Sequence, residues 1–329
     1  MLKKIKLDSF VIAILGSIIL AYVYPQLASS ESKIPIDIIC SIGISLIFFF
    51  YGLTLSNQAL KSGLSNWKLH LTIQGSTFLV FPLLILIFYP LAKDTDYELM
   101  WFSFLFLAAL PSTVSSSVVM VSIAKGNLPG AIFNASISGI LGILFTPFWI
   151  FLFIQQTDFD YDLSQIYLQL ITEIVIPLIL GLWLRRFFGV WARNNKRSLT
   201  LFDKTIILLI VYKSFARSFE DQLFNNIPWT DFVLMGVLVV LLFIIVYVLT
   251  GWIGKLLKFN HADQITNQFC SSKKSLVHGT VFSEALFGGS SILGIMLLPL
   301  MIYHAFQIFI ISIIAVEKGK QQNPSQKLE

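Results

Sequence analysis

Two short polar runs interrupt a chain dominated by apolar residues. In the first, Pro111-Ser112-Thr113-Val114-Ser115-Ser116-Ser117, five hydroxyls fall within six residues directly after a proline. In the second, Cys270-Ser271-Ser272-Lys273-Lys274-Ser275, serines flank two adjacent lysines, and His278 follows. Proline removes a helical donor and crowds the preceding turn. Oxygens freed in this way inside a membrane helix can ligate a monovalent cation, and free helix ends can hold an anion. An ammonium in the same place would repel the cation or hold the anion. Asn134 and Ser138, one helical turn apart on one face, and Gln74 add amide and hydroxyl groups. The chemistry these residues suggest is reversible binding of an ion and a small solute.

Each residue also has a plainer reading. Serine and threonine let membrane helices pack closely and bond between helices, which would account for the hydroxyl run and for Asn134. Lys273 and Lys274 either face a cavity or partner or reach a membrane surface through their aliphatic stems. His278 and His304 suit packing hydrogen bonds. Glu173 could pair with a lysine or relay a proton. Lys213 and Arg217, followed by Glu220 and Asp221, read as a solvated helix end on the outer face.

The elements that position these residues follow from composition. Of 329 residues, 56% are hydrophobic and 12% charged, and 30 are Phe, against about 45–50% and 25% in a soluble domain. Charge-free runs such as Leu69–Ala92, Gly126–Thr157 and Ala285–Val316 exceed the roughly 20 residues that cross a bilayer as helix. The chain is therefore an all-α polytopic membrane protein. Ten transmembrane helices are expected, at 9–24, 35–57, 67–92, 98–124, 128–154, 163–184, 201–219, 229–257, 264–287 and 291–315; the seventh is short and carries Lys213 and Arg217, the ninth is least hydrophobic, and eight or nine spans are the alternative if either fails to cross. The N-terminus does not read as a cleaved signal. Cys40 and Cys270 lie in or beside apolar stretches and make neither a disulfide framework nor a metal site.

Lysine and arginine test the count. With ten crossings, 17 of them (Lys3, Lys61, Lys125, Arg185, Arg186 and Lys318 among them) fall on the side of both termini. Four, Lys33, Lys93, Lys213 and Arg217, fall opposite. Basic loops stay cytoplasmic, so both termini are expected inside, with residues 317–329 as a cytoplasmic tail. The same asymmetry accounts for the sequence pI of 9.1 without nucleic acid. Loop 155–165, with Asp158, Asp160 and Asp162, is acidic.

The single membrane domain, 1–329, reads as two repeats, 9–154 and 163–316. Tyr51, Leu60 and Trp67 recur as Tyr212, Leu223 and Trp229 at an offset near 161, and that offset carries Pro111 onto Ser272. Five helices per repeat is odd, so the repeats are inverted. Matched interruptions in inverted halves point to a secondary transporter's binding site. Against an enzyme, the chain has no HExxH pair, nucleophile elbow, phosphate-cradling glycine loop or paired intramembrane aspartates.

The run Val114–Asn127, with Ala131-Ile-Phe-Asn134 and Leu141–Pro147, resembles the bile acid:sodium symporter superfamily. So do Cys270–Leu276, Ile176–Gly181 with Arg185-Arg186, and Pro299–His304. The nearest branch is the sodium/bile acid cotransporter 7-like proteins, and the similarity covers essentially the whole chain. The resemblance implies a panel domain of helices 1, 2, 6 and 7 and a core domain of helices 3–5 and 8–10, in which broken helices 4 and 9 cross. It implies sodium ligation by Ser116 and Ser117 with Asn134 and Ser138, and Gln74 near a third ligand position. Better-understood bile acid transporters of the superfamily carry a glutamate at the ninth-helix crossover, where this chain has Cys270 with Lys273 and Lys274 just after it. At 4–6 Å each unit of charge so changed is worth about 3–4 kcal/mol against a bound cation.

The expected function is a sodium-coupled symporter of a small organic anion working by alternating access, with sodium as coupling ion and no other cofactor. A sodium-independent or proton-coupled carrier, with a lysine replacing the ion, is the alternative. A non-transporting regulator of ion homeostasis is the alternative from another class. The expected setting is the lipid bilayer of a bacterial inner membrane, with a homodimer allowed.

Overall fold

The computed structural model describes residues 9–28, 32, 34–55, 66–154, 168–226, 228–288, 290 and 292–321. The acidic loop 155–165, Lys3, Lys4, Lys6, Lys33, Lys61 and most of the tail lie outside these. Every regular element described is helical. Among the described residues, six helices are long and apolar enough to cross a membrane. Their outward faces are apolar: Val237, Leu241, Ile245, Val248 and Trp252 are all exposed along one helix. Such a surface is unstable in water and suits lipid tails. The protein is an integral membrane protein.

The chain forms two compact units. The first contains residues 1–55, 154–229 and 280–297. In it α1 (Ser9–Val23) packs along α10 (Lys196–Glu220), and α2 (Ile36–Thr54) along α9 (Ile176–Asn194). Helix α10 starts five residues earlier than the expected 201–219, because the polar segment from Lys196 continues the helix. The α2–α9 contact depends on two glycines. A Cβ on Gly181 would lie 2.1 Å from the Phe49 carbonyl oxygen, and one on Gly52 would lie 2.5 Å from that of Leu178. Small residues at such crossings let backbones touch. Gly181→Ala should therefore separate α2 and α9 and cost about 1–3 kcal/mol, seen as a lower Tm of the purified protein, whereas Gly16→Ala, in open space, should leave Tm unchanged.

The second unit contains residues 56–153, 230–279 and 298–329. Its elements are α3 (Trp67–Gly75), α4 (Phe81–Leu86), α5 (Tyr89–Ala92), α6 (Glu98–Ala109), α7 (Ser115–Ile123) and α8 (Leu128–Ile154). After α9 and α10 come α11 (Trp229–Leu256), α12 (His261–Ser271), α13 (Leu276–Phe287) and α14 (Leu293–Gln321), the last two running on from one unit into the other. Segments 98–124 and 264–287 are thus each interrupted, at 110–114 and 272–275. Between α3 and α4 a π-turn, Ser76–Val80, precedes Pro82. In that turn the Phe81 N–H reaches back five residues to the Ser76 carbonyl. The next donor in the series would be Pro82, which has no N–H. The Thr77 carbonyl is left without a helical partner.

Candidate functional site

The two interruptions of the second unit meet and satisfy one another. A helix ending inside a protein leaves its last carbonyls unpaired, and each must find a donor. At the end of α6, the Leu107 carbonyl takes the Leu110 N–H at 3.3 Å and that of Ala109 the Thr146 hydroxyl at 2.9 Å. The Pro111 carbonyl accepts the Ser275 N–H at 2.9 Å. In return the Ser112 hydroxyl donates to the Cys270 carbonyl at 2.6 Å, and the Ser112 N–H to the Ser138 hydroxyl at 2.9 Å. The Tyr303 hydroxyl donates to the Ser272 carbonyl at 2.7 Å.

The remaining carbonyls converge on one side chain. The Lys274 ammonium donates to the carbonyls of Thr77, Ala108 and Leu110 at 2.8, 2.6 and 2.8 Å. It also lies 4.0 Å from the centre of the Phe81 ring, within cation–π range. Gln307 fixes the Lys274 backbone from both sides, accepting its N–H at 2.8 Å and donating to its carbonyl at 2.7 Å. Lys273 and Lys274 are both 0% exposed. Neither reaches a surface along its stem, because the helix halts at Ser271 and turns both inward. The Lys273 ammonium has no hydrogen-bond partner among the described residues.

The other expected site residues fall into separate groups. Thr113 shares hydrogen bonds with Ser117 at 2.7 Å and Ser116 at 2.9 Å. Ser115 opens α7. Gln74 donates to the Asn134 side chain at 3.0 Å, and Asn134 donates to the Gly130 carbonyl at 2.9 Å and is 2.7 Å from a His70 ring nitrogen. The side-chain Oε1 of Gln74 is buried without a donor among the described residues. Ser271 bonds Asn267 at 3.2 Å, and Ser272 bonds the Gln268 carbonyl at 2.7 Å. Ser275 caps α13 by accepting the His278 N–H at 3.2 Å, and its hydroxyl lies 2.9 Å from the His278 ring.

The first unit holds a charge cluster that the sequence reading missed. Lys213 is 1% exposed and is not a solvated helix end. Helix α10 continues seven residues beyond it, carrying it under the surface. Its ammonium contacts Glu284, and Asp37 at 2.7 Å; Arg217 holds Asp37 through both oxygens, at 2.8 and 3.0 Å. Glu173 accepts hydrogen bonds from Ser41 at 2.6 Å and Gln169 at 3.3 Å rather than pairing with a lysine. Glu284 was the available signal: a carboxylate inside an expected span is costly and calls for a partner.

Interrupted membrane helices whose freed backbone carbonyls close on an ammonium are the kind of arrangement that forms the sites of secondary transporters. The chain belongs to the SBF-like CPA transporter family, which matches residues 8–319. It is 33% identical to protein PA2026 of Pseudomonas aeruginosa, over 96% of this chain and 94% of that one. It is also 33% identical to YfeH of Escherichia coli (strain K12), which carries a provisional symporter name, over 97% and 95%. The sodium/bile acid cotransporter 7 of Rattus norvegicus is 30% identical over 95% and 93%.

Proposed function

We propose that the protein is a secondary carrier of a small organic anion, working by alternating access, in which the Lys274 ammonium takes the place of a sodium ion. The observation that carries this reading is the convergence of three backbone carbonyls on Lys274. Carbonyls freed at broken helices are the usual ligands of a coupling cation. Here a tethered ammonium uses them. The expected sodium ligands Gln74 and Asn134 bond one another, and Ser116 and Ser117 share Thr113. On this reading transport does not need sodium at this place, and the unpartnered ammonium of Lys273 is the receptor for the anion.

The architecture we attach to this reading is ten crossings in two inverted repeats, with both termini on the cytoplasmic side of a bacterial inner membrane. Its support is that α7 restarts at residue 115 and α13 at residue 276, an offset of 161, the same offset that relates the two halves in sequence.

Counterflow in proteoliposomes tests the function. Vesicles preloaded with one of a panel of small carboxylates and sulfonates should accumulate the labelled form of that compound transiently, and equally in sodium and in choline. Counterflow that vanishes in choline overturns the lysine reading. Its absence for every compound in both salts favours the non-transporting regulator.

A further inference from the structure

The first unit contains a cavity of about 700 Å³, a size that suits a small organic molecule. Its charged lining is five carboxylates, Asp37, Glu173, Glu220, Asp221 and Glu284, against one guanidinium, Arg217. With Lys213 just behind them, the cluster carries five formal negative charges and two positive. Arg217 is committed to Asp37 through two bonds, and Lys213 to Asp37 and Glu284.

Two acceptors are left over. One oxygen of Glu284 and one of Glu173 are buried with no hydrogen-bond donor among the described residues. Glu284 is 5% exposed. Its other oxygen contacts Lys213, and Glu173 uses its other oxygen for Ser41 and Gln169. A buried carboxylate oxygen without a donor costs more than a neutral one. A donor on the cavity side would satisfy both oxygens and should bring positive charge.

A chelated metal fits less well. Among the described residues, His, Cys, Asp and Glu form no group of three or more able to hold a metal ion. A bare ion would also leave most of the cavity to water. A primary ammonium offers three N–H donors and one positive charge, and its carbon skeleton can lie on Ala28 and Ile38, which also line the cavity.

We propose that this cavity binds an organic cation bearing N–H donors, a primary ammonium compound, through Glu284 and Glu173. The site is distinct from the Lys274 site, which lies in the other unit. It goes beyond the carrier reading and does not depend on how sodium acts there.

The test is thermal stability of the purified full-length protein, with ethylammonium or butane-1,4-diammonium replacing tetramethylammonium at constant ionic strength. A saturable rise in Tm is expected for both amines. Tetramethylammonium has no N–H, and neither it nor sodium should give the rise. Glu173→Gln keeps the acceptor for Ser41 and Gln169 but removes the charge, and should weaken the apparent affinity by about tenfold or more. Glu284→Gln should abolish the response. A flat response to both amines overturns the proposal. So does an equal rise with sodium, which would make the site one for inorganic cations. So too does a Glu173→Gln protein that folds and responds like wild type.

Discussion

Lys274→Ala should be among the most destabilising substitutions in this protein and should give it a sodium response that the native chain lacks. The substitution removes three charge-assisted hydrogen bonds and leaves the carbonyls of Thr77, Ala108 and Leu110 facing a void. These oxygens have no easy alternative. Thr77 lost its helical partner to Pro82, and Ala108 and Leu110 stand where α6 has ended. A buried acceptor deprived of its donor costs about 1–3 kcal/mol, so the three together imply a loss of roughly 3–6 kcal/mol even after partial relaxation, with a cavity term on top.

The recovery is the more specific part of this prediction. Sodium should restore part of the lost Tm in Lys274→Ala, and butylammonium should raise its Tm by more than it raises that of the native protein, because it also fills the space of the lysine stem. Lys274→Gln, with a shorter side chain and a neutral donor, should fall between wild type and alanine and respond less to ions. An alanine variant with wild-type Tm, or one that gains no more from butylammonium or sodium than the native protein does, would mean that Lys274 does not occupy an ion's place.

The second large effect concerns Lys213. Methionine at this position should destabilise the protein by about 3–5 kcal/mol, the usual cost of removing one member of a buried ion pair. The damage should fall on Glu284, at 5% exposure, rather than on Asp37. The Asp37 side chain is 60% exposed and keeps Arg217. The double variant Lys213→Met/Glu284→Met should therefore recover most of the lost stability, because two apolar side chains of similar size leave no buried charge. Additive losses in the double variant, measured as Tm in one detergent, would show that the pair is not coupled.

These two lysines illustrate what can be read from the chain and what cannot. The interruptions were legible because proline and clustered hydroxyls are local signals. Pro111 and Ser112–Ser117 mark one break, and the polar run at 270–275 the other. What fills the breaks was only half legible. Two adjacent lysines in an apolar segment had to be either buried or at a surface. The carbonyls that hold Lys274 come from three positions between 164 and 197 residues away. A carbonyl carries no sequence signature, and the freeing of Thr77 depends on a π-turn that residue spacing does not announce.

The charge cluster in the first unit was missed for a related reason. Lys213 precedes Arg217, Glu220 and Asp221, and four charges within nine residues resemble a solvated helix end. Local charge density gave the wrong answer because burial is set by partners distant in sequence. Asp37 is 176 residues away and Glu284 71. The long α10 helix then carries Lys213 below the surface that Arg217 still partly reaches. Glu284, alone in an otherwise hydroxyl- and lysine-marked span, was the one local clue.

The substitution of a tethered ammonium for a mobile ion is tested most directly on the unaltered protein. Thermal stability should be followed while sodium replaces choline at constant ionic strength, with lithium and potassium as controls. With Lys274 already bound by the three carbonyls, Tm should be the same in all four salts. A ligand present at about 100 times its dissociation constant adds roughly 2.7 kcal/mol. A saturable, sodium-selective rise of that order, lost in Lys274→Ala, would contradict the assignment and return the site to sodium.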